Sequence, residues 1–270
     1  GAQARVLPQG VTKRKKLAHH PDRIVREAAE ALGARRNAVA LTGAGISVES
    51  GIPAFRGAQG MWEKYDPMEY ATIGAFLKDP ARVWTMLSEM VDVFSRAAPN
   101  PAHTGLADME KMGVLRSVIT QNVDGLHQAA GSRKVIEFHG NVEELVCLAC
   151  FRRYPSRERI REGIPPKCEC GKILKPNLVL FGEPIPWGTQ EEAEAEAENC
   201  AALLVVGTSA QVTPACDIPL ISRRKGAVII EINPEETFLT RTITDLHIRE
   251  SASVAVSRLL EEIREILPPS

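Results

Sequence analysis

Three groups of residues have types and spacings suited to chemistry. His139 closes the apolar run VIEFHG, and an imidazole, with an ordinary pKa of about 6.5, suits general-base work near neutral pH. Gly43-Ala44-Gly45 follows the apolar run NAVALT, and such a turn lets backbone approach a phosphate closely. Cys147-x-x-Cys150 and Cys168-x-Cys170, separated by 17 residues, make two close pairs, the arrangement of a tetrahedral thiolate zinc site. Each group also has a plainer explanation. A strand-end histidine is more often structural, a Gly-Ala-Gly turn can be only a tight turn, and the cysteines could form disulfides. The segment FRRYPSRERIREGIPPK between the pairs is too polar to form its own core, which favours a metal staple. Four thiolates close the coordination shell, so one structural zinc is expected on Cys147, Cys150, Cys168 and Cys170. The Cys-x-Cys spacing is one residue shorter than the more usual Cys-x-x-Cys.

The glycine turn does not complete a dehydrogenase fingerprint. The third position of G-x-G-x-x-G is Val48, and no strand ending in Asp or Glu follows about 20 residues later to hold a ribose. Residues 58–99 read instead as helices and loops. Around these residues lie short runs apolar at nearly every position: 37–43, 117–122, 135–140, 177–183, 202–209 and 227–233. Strands without polar alternation are buried on both faces, as in a parallel sheet between helical layers. Helical patterns at PDRIVREAAEALGAR and TGLADMEKMG precede the first two, so a doubly wound α/β fold is expected. Ligands of such sheets sit beyond the carboxyl ends of the strands. Five runs end there in GAG, QNVDG, HG, GTS and INPEE.

Composition excludes several classes. Hydrophobic residues at 44% and charged ones at 25%, with a net charge of -1, suit a globular protein and give no reason to expect nucleic acid or a membrane surface as partner. No apolar run nears the roughly 20 residues of a membrane span, and no signal-type apolar segment opens the sequence. A cytoplasmic protein with reduced thiols is expected. Residues 1–36 hold nine Lys/Arg against three Asp/Glu, which a solvated basic arm explains. Cys200 and Cys216 read as core thiols, and GTQEEAEAEAENC as an exposed helix.

Taken in order, GAGIS-x-x-SGIPAFRG, TQNVDGLH, FHG, the four cysteines, VLFGE, GTS and INPEE resemble the sirtuin family of NAD-dependent protein lysine deacylases, over about residues 37–235. The resemblance implies a Rossmann-like parallel sheet and a smaller domain made of a zinc module and a helical insertion. Boundaries would follow as a basic arm at 1–21, a discontinuous NAD-binding domain at 22–56, 100–140 and 177–270, a cofactor loop and helical insertion at 57–99, and a zinc module at 141–176. It also implies an enzyme that breaks the nicotinamide–ribose bond of NAD. The acyl-lysine oxygen attacks the ribose carbon, and the products are deacylated lysine, nicotinamide and 2′-O-acyl-ADP-ribose. An ADP-ribosyltransferase or NAD glycohydrolase is the alternative, and a non-catalytic NAD- or zinc-binding module is a second.

By the same resemblance, His139 is the general base and Asn122 acts beside it, with Asp124 on the nicotinamide carboxamide. Gly43, Ala44 and Gly45 hold the pyrophosphate. Ala44, Ile52, Pro53 and Phe55 wall the pocket, and Arg56 reaches the phosphate–ribose part. Gln121 binds ribose hydroxyls. Gly207, Thr208, Ser209, Asn233 and Glu235 take the adenosine end, with Ser251 and Ala252 near the adenine, while His127 is structural support. Val179, Phe181, Gly182 and Glu183 shape the groove for an acyl-lysine protein or peptide. Members that prefer succinyl or malonyl carry Tyr and Arg where alignment on Val83-Trp84 places Leu87 and Met90, so a neutral acyl group is expected. A monomer is expected.

Overall fold

The computed structural model describes residues 21–54 and 60–267; the basic arm up to residue 20, and Phe55 and Arg56, lie outside them. Apolar runs become strands β1 (Ala38–Thr42), β2 (Leu115–Thr120), β3 (Val135–Glu137), β7 (Ala202–Val206) and β8 (Val228–Ile232), and with β9 (Leu246–Ile248) they form one six-stranded sheet in the order β3-β2-β1-β7-β8-β9. Every pairing in it is parallel. A second sheet holds β4 (Gly140–Val146), β5 (Arg153–Pro155) and β6 (Lys175–Leu178), antiparallel in the order β5-β4-β6.

Side-chain alternation along β1 explains its unbroken apolar sequence. Ala38 and Ala40 join a core with the helices Pro21–Arg35, Pro101–Lys111 and Ala252–Ile266, whereas Val39 and Leu41 join one with Trp187–Asn199 and Asp217–Arg224. Both faces are dry, so polar alternation would leave unpaired groups in a core. The expected helix at the acidic run is present as Trp187–Asn199, but it is not wholly exposed. Glu196 is buried, receiving bonds from Arg116, Ser117 and Lys134.

A third core joins the helical insertion to the second sheet. Trp84, Leu87 and Phe76 pack with Leu145, Leu174, Cys147 and Cys168, and the Trp84 indole donates to the Leu174 carbonyl at 2.8 Å. Insertion and cysteine module therefore form one body.

One strand expectation is corrected, and one strand was missed. The run at 177–183 is not a parallel-sheet strand: only its start lies in β6, paired with β4. Leu178 and Leu180 are buried in the third core, whereas Val179 is half-buried and Phe181 exposed, and all four border a cavity, so the run is apolar throughout without being buried on both sides. Strand β9, three residues long, carries too short a pattern to register in the sequence. Cys200 is buried as expected, but Cys216 is only half-buried.

Gly140 joins the two sheets at the end of FHG. It has φ +74°, and a Cβ there would lie 2.0 Å from the Asn177 carbonyl oxygen of β6. Replacement by alanine forces β4 and β6 apart as well as straining the backbone, at about 1–3 kcal/mol for the strain alone. Gly140→Ala is expected to lower Tm by several degrees in a thermal melt; an unchanged Tm would show that the strands separate without cost.

Candidate functional site

A cavity of about 770 Å³ opens beyond the ends of β1, β2, β7 and β8 and reaches the helical insertion. Its floor is made by two backbone turns. The Gly45 N–H donates to the Gly207 carbonyl at 2.8 Å, and a Cβ on Gly45 would lie 2.7 Å from the Gly207 Cα. The glycines thus answer first to turn-on-turn packing. Between Gly43 and Gly45, Ala44 borders the cavity, and its N–H has no hydrogen-bond partner among the described residues. An unpartnered amide in a side-chain-poor turn suits the diphosphate of NAD.

Gly43, Gln121, Thr208, Ser209, Glu235, Ser251 and Ala252 border this end too. Gln121 Nε2 donates to Thr208 Oγ1 at 3.0 Å, tying β2 to β7. Asn233 also borders it, but its amide is occupied in holding turns: Nδ2 donates to the Thr208 carbonyl and Oδ1 accepts from the Glu235 N–H.

Asn122 and His139 face the middle of the cavity. Asn122 Nδ2 donates to the Gly43 carbonyl at 3.1 Å and to Ser47 Oγ at 3.2 Å. Ser47 Oγ donates in turn to Asp124 Oδ2 at 2.7 Å. Asp124 does not border the cavity; it is held by Ser47 and by the Leu126 N–H. Ile52 and Pro53 are likewise absent from the lining. His139 Nδ1 lies 3.1 Å from the Gln121 carbonyl. A carbonyl only accepts, so Nδ1 carries the proton and Nε2 of the neutral ring keeps its lone pair. Burial pushes the His139 pKa below its ordinary value, against the opposing carbonyl bond, which keeps that ring neutral.

Beneath the site lies a layer of neutral imidazoles. His103 Nδ1 accepts from the Asn100 N–H, so its Nε2, 3.4 Å from Ser47 Oγ, is the donor. Burial lowers the His103 pKa, with Asp124 opposing. His127, stacked edge-on to His103 and bonded to Thr42, is pushed down to about 3 by burial and then by His103. It is structural support, as expected. Of this layer, Ser47 stands within the glycine motif and could have been found there; His103 and Asn100 carried no motif.

Glu49 was also missed. It borders the cavity and caps the C-terminal helix from 200 residues away in the chain, accepting from Ser251 Oγ at 3.1 Å and from the Ser253 N–H at 2.9 Å. A contact of such sequence separation leaves no local signal.

The opposite end is apolar. Met86, Leu87, Met90, Trp62 and Ala71 border it, and Val179, Phe181, Gly182 and Glu183 form the facing edge. The Val179 N–H donates to the His139 carbonyl at 2.9 Å, and the Phe181 N–H to the Ala71 carbonyl. Among the described residues, no lysine or arginine borders the cavity; its charged groups are Glu49, Glu183 and Glu235. Arg82, the nearest candidate in sequence, pairs with Glu69 and lies over the Tyr70 ring.

The four cysteine sulfurs lie within 4.8 Å of one another. Cys147 and Cys170 are 3.6 Å apart, and Cys150 and Cys168 3.5 Å. Tetrahedral Zn–S bonds of about 2.3 Å place sulfurs about 3.8 Å apart, so the cluster fits zinc, and the sulfurs are too far apart for disulfides. None of the four borders the cavity, which agrees with a structural metal.

Comparison with known proteins yields one family. The model described as Sir2 family matches residues 43–214. The NAD-dependent protein deacylase 2 of Archaeoglobus fulgidus is 45% identical over 247 residues, which cover 90% of this chain and 97% of that protein. Among solved structures, a Sir2 homologue in complex with NAD superposes with a TM-score of 0.82 at 42% identity, over 89% of this chain and 94% of its own. A Sir2 protein bound to a myristoylated histone peptide gives 0.77 at 39% identity, over 90% and 97%.

The metal reading has a direct consequence. Binding and folding of such a site are linked, so elemental analysis should find one zinc in the parent protein, and Cys170→Ala should lose it and melt at lower temperature. Well-folded, active protein containing no zinc would refute it.

Proposed function

The chain belongs to the Sir2 family, and from that premise we propose that it is an NAD-dependent protein lysine deacylase with His139 as its general base. The observation that carries the proposal is the His139–Gln121 bond, which leaves a neutral Nε2 on a ring bordering the cavity. NAD, when bound, supplies an electrophilic ribose carbon and nicotinamide as leaving group. The Ala44 amide holds the diphosphate. Asn122, fixed by the Gly43 carbonyl and Ser47, orients the nicotinamide ribose, and Ser47 holds Asp124 behind it. His139 Nε2 takes the proton of a ribose hydroxyl, and the apolar walls keep water from the reacting carbon. The expected products are deacylated lysine, nicotinamide and 2′-O-acyl-ADP-ribose.

A neutral acyl group suits the apolar end. A carboxylate there would meet Leu87 and Met90 without a cation and with Glu183 nearby, which is costly. Acetyl fits best, and flexible methionines at 86 and 90 leave room for a longer fatty chain. The myristoylated peptide of the structural relative supports that second possibility.

His139→Ala should cut deacylation by roughly 10²–10⁴-fold and leave NAD affinity within a few-fold; near-normal turnover removes His139 from the role. The base works as the neutral ring, and its pKa is lowered. Activity should therefore persist through the ordinary histidine range and fall only below pH of about 6.5. A kcat/KM profile whose acid limb lies above that value contradicts the assignment. On one peptide carrying acetyl, myristoyl or succinyl, the succinyl form should have the lowest kcat/KM. If it is the best of the three, the neutral-pocket reading fails.

A further inference from the structure

We propose that Lys175 is a positioning residue for the acyl-lysine peptide, acting through Glu183 on the segment that carries the substrate edge. Lys175 is 3% exposed. Its Nζ lies 2.9 Å from Glu183 Oε2 and donates to the Leu178 carbonyl at 2.5 Å and the Pro176 carbonyl at 3.2 Å. The same Glu183 oxygen accepts from the Leu180 N–H at 2.7 Å. One buried cation thus draws together both ends of residues 176–183, between which Val179, Phe181 and Gly182 border the cavity.

Packing fixes only part of this segment: Leu178 and Leu180 are buried in the third core. Val179, Glu183 and Pro184 line the main cavity and also a second one of about 530 Å³, so open space lies on both sides of them. Where close packing is missing, directional hydrogen bonds decide backbone shape. The choice of residue points the same way. Burial pushes the Lys175 pKa down against the attraction of Glu183, and an apolar side chain often serves stability as well as a buried ion pair does. An ammonium contributes what an apolar chain cannot: three donors that hold two carbonyls and a carboxylate in one geometry. Lys175 also pairs in register with Val146, next to Cys147, so the cysteine module is linked through it to the substrate edge.

This inference rests on the deacylase reading, and the experiment separates the two. Turnover of an acetyl-lysine peptide by the parent protein tests the reading itself; its absence refutes the reading whatever the variants do. Binding of the same peptide, fluorescein-labelled, is followed by anisotropy beside the kinetics and zinc content. In Lys175→Met, KM and Kd for the peptide should rise about tenfold, with KM for NAD and zinc content within about twofold of the parent. Lys175→Arg, which restores donors, should recover peptide KM to within about threefold. Glu183→Gln provides a second route should the methionine variant fail to fold, and its peptide KM should rise as well. In the double variant the rise should be no larger than in Lys175→Met, because the two act as one unit. Unchanged peptide KM and Kd in folded Lys175→Met or in Glu183→Gln overturns the proposal. So does an equal rise in KM for NAD and for peptide, the mark of a general structural role.

Discussion

Two strand-end turns touch backbone to backbone, and the working site is built on that contact. The approach of Gly45 to Gly207 brings the ends of β1 and β7 together with no side chain between them. Three residues that border the cavity are tied to the strand ends that this pair brings together. Gln121 reaches across to Thr208, Asn122 bonds to Gly43, and the Gln121 carbonyl orients His139. A wider gap at the glycines would displace all three. The constraint is steric and local, but its effects extend through hydrogen bonds to His139.

The second organising force is desolvation. Three imidazoles lie at or under the cavity, and burial lowers the pKa of each. Had His103 and His127 been charged, the layer under Ser47 would hold two adjacent cations beside the single carboxylate of Asp124. Neutral rings act as directed donors and acceptors, and two of the tautomers are set by unambiguous partners: the Asn100 N–H for His103 and the Gln121 carbonyl for His139. The same dryness holds at the other end, among Met86, Leu87 and Met90.

The small domain shows how a module with little core of its own becomes firm. The polar stretch between the cysteine pairs contributes few buried side chains, but Leu145, Leu174, Cys147 and Cys168 pack on Trp84 and Phe76 of the insertion. The four sulfurs close the far side.

Much of this protein was legible in its residues. Unbroken apolar runs require burial on both faces, so the parallel sheet followed from β1, β2, β7 and β8 alone. The cysteine spacing pointed to a thiolate cluster, since few other arrangements bring two such pairs into use, and the ordered motifs from GAGIS to INPEE indicated the family. The residues expected to face the cavity do so in most cases because strand ends in a parallel sheet must converge. Other features depended on the third dimension. The run at 177–183 resembled a buried strand because a cavity wall and a core demand the same apolar side chains. Glu49 caps a helix near the other end of the chain, Asp124 stands behind Ser47, and Lys175 lies buried beneath Glu183. In each, the partner is chosen by packing and by unmet hydrogen-bonding groups, and neither is written in local sequence. Periodicity and motif determine which segments are buried and where they turn; only the folded chain decides which polar groups meet, because that depends on distances no spacing along the sequence contains.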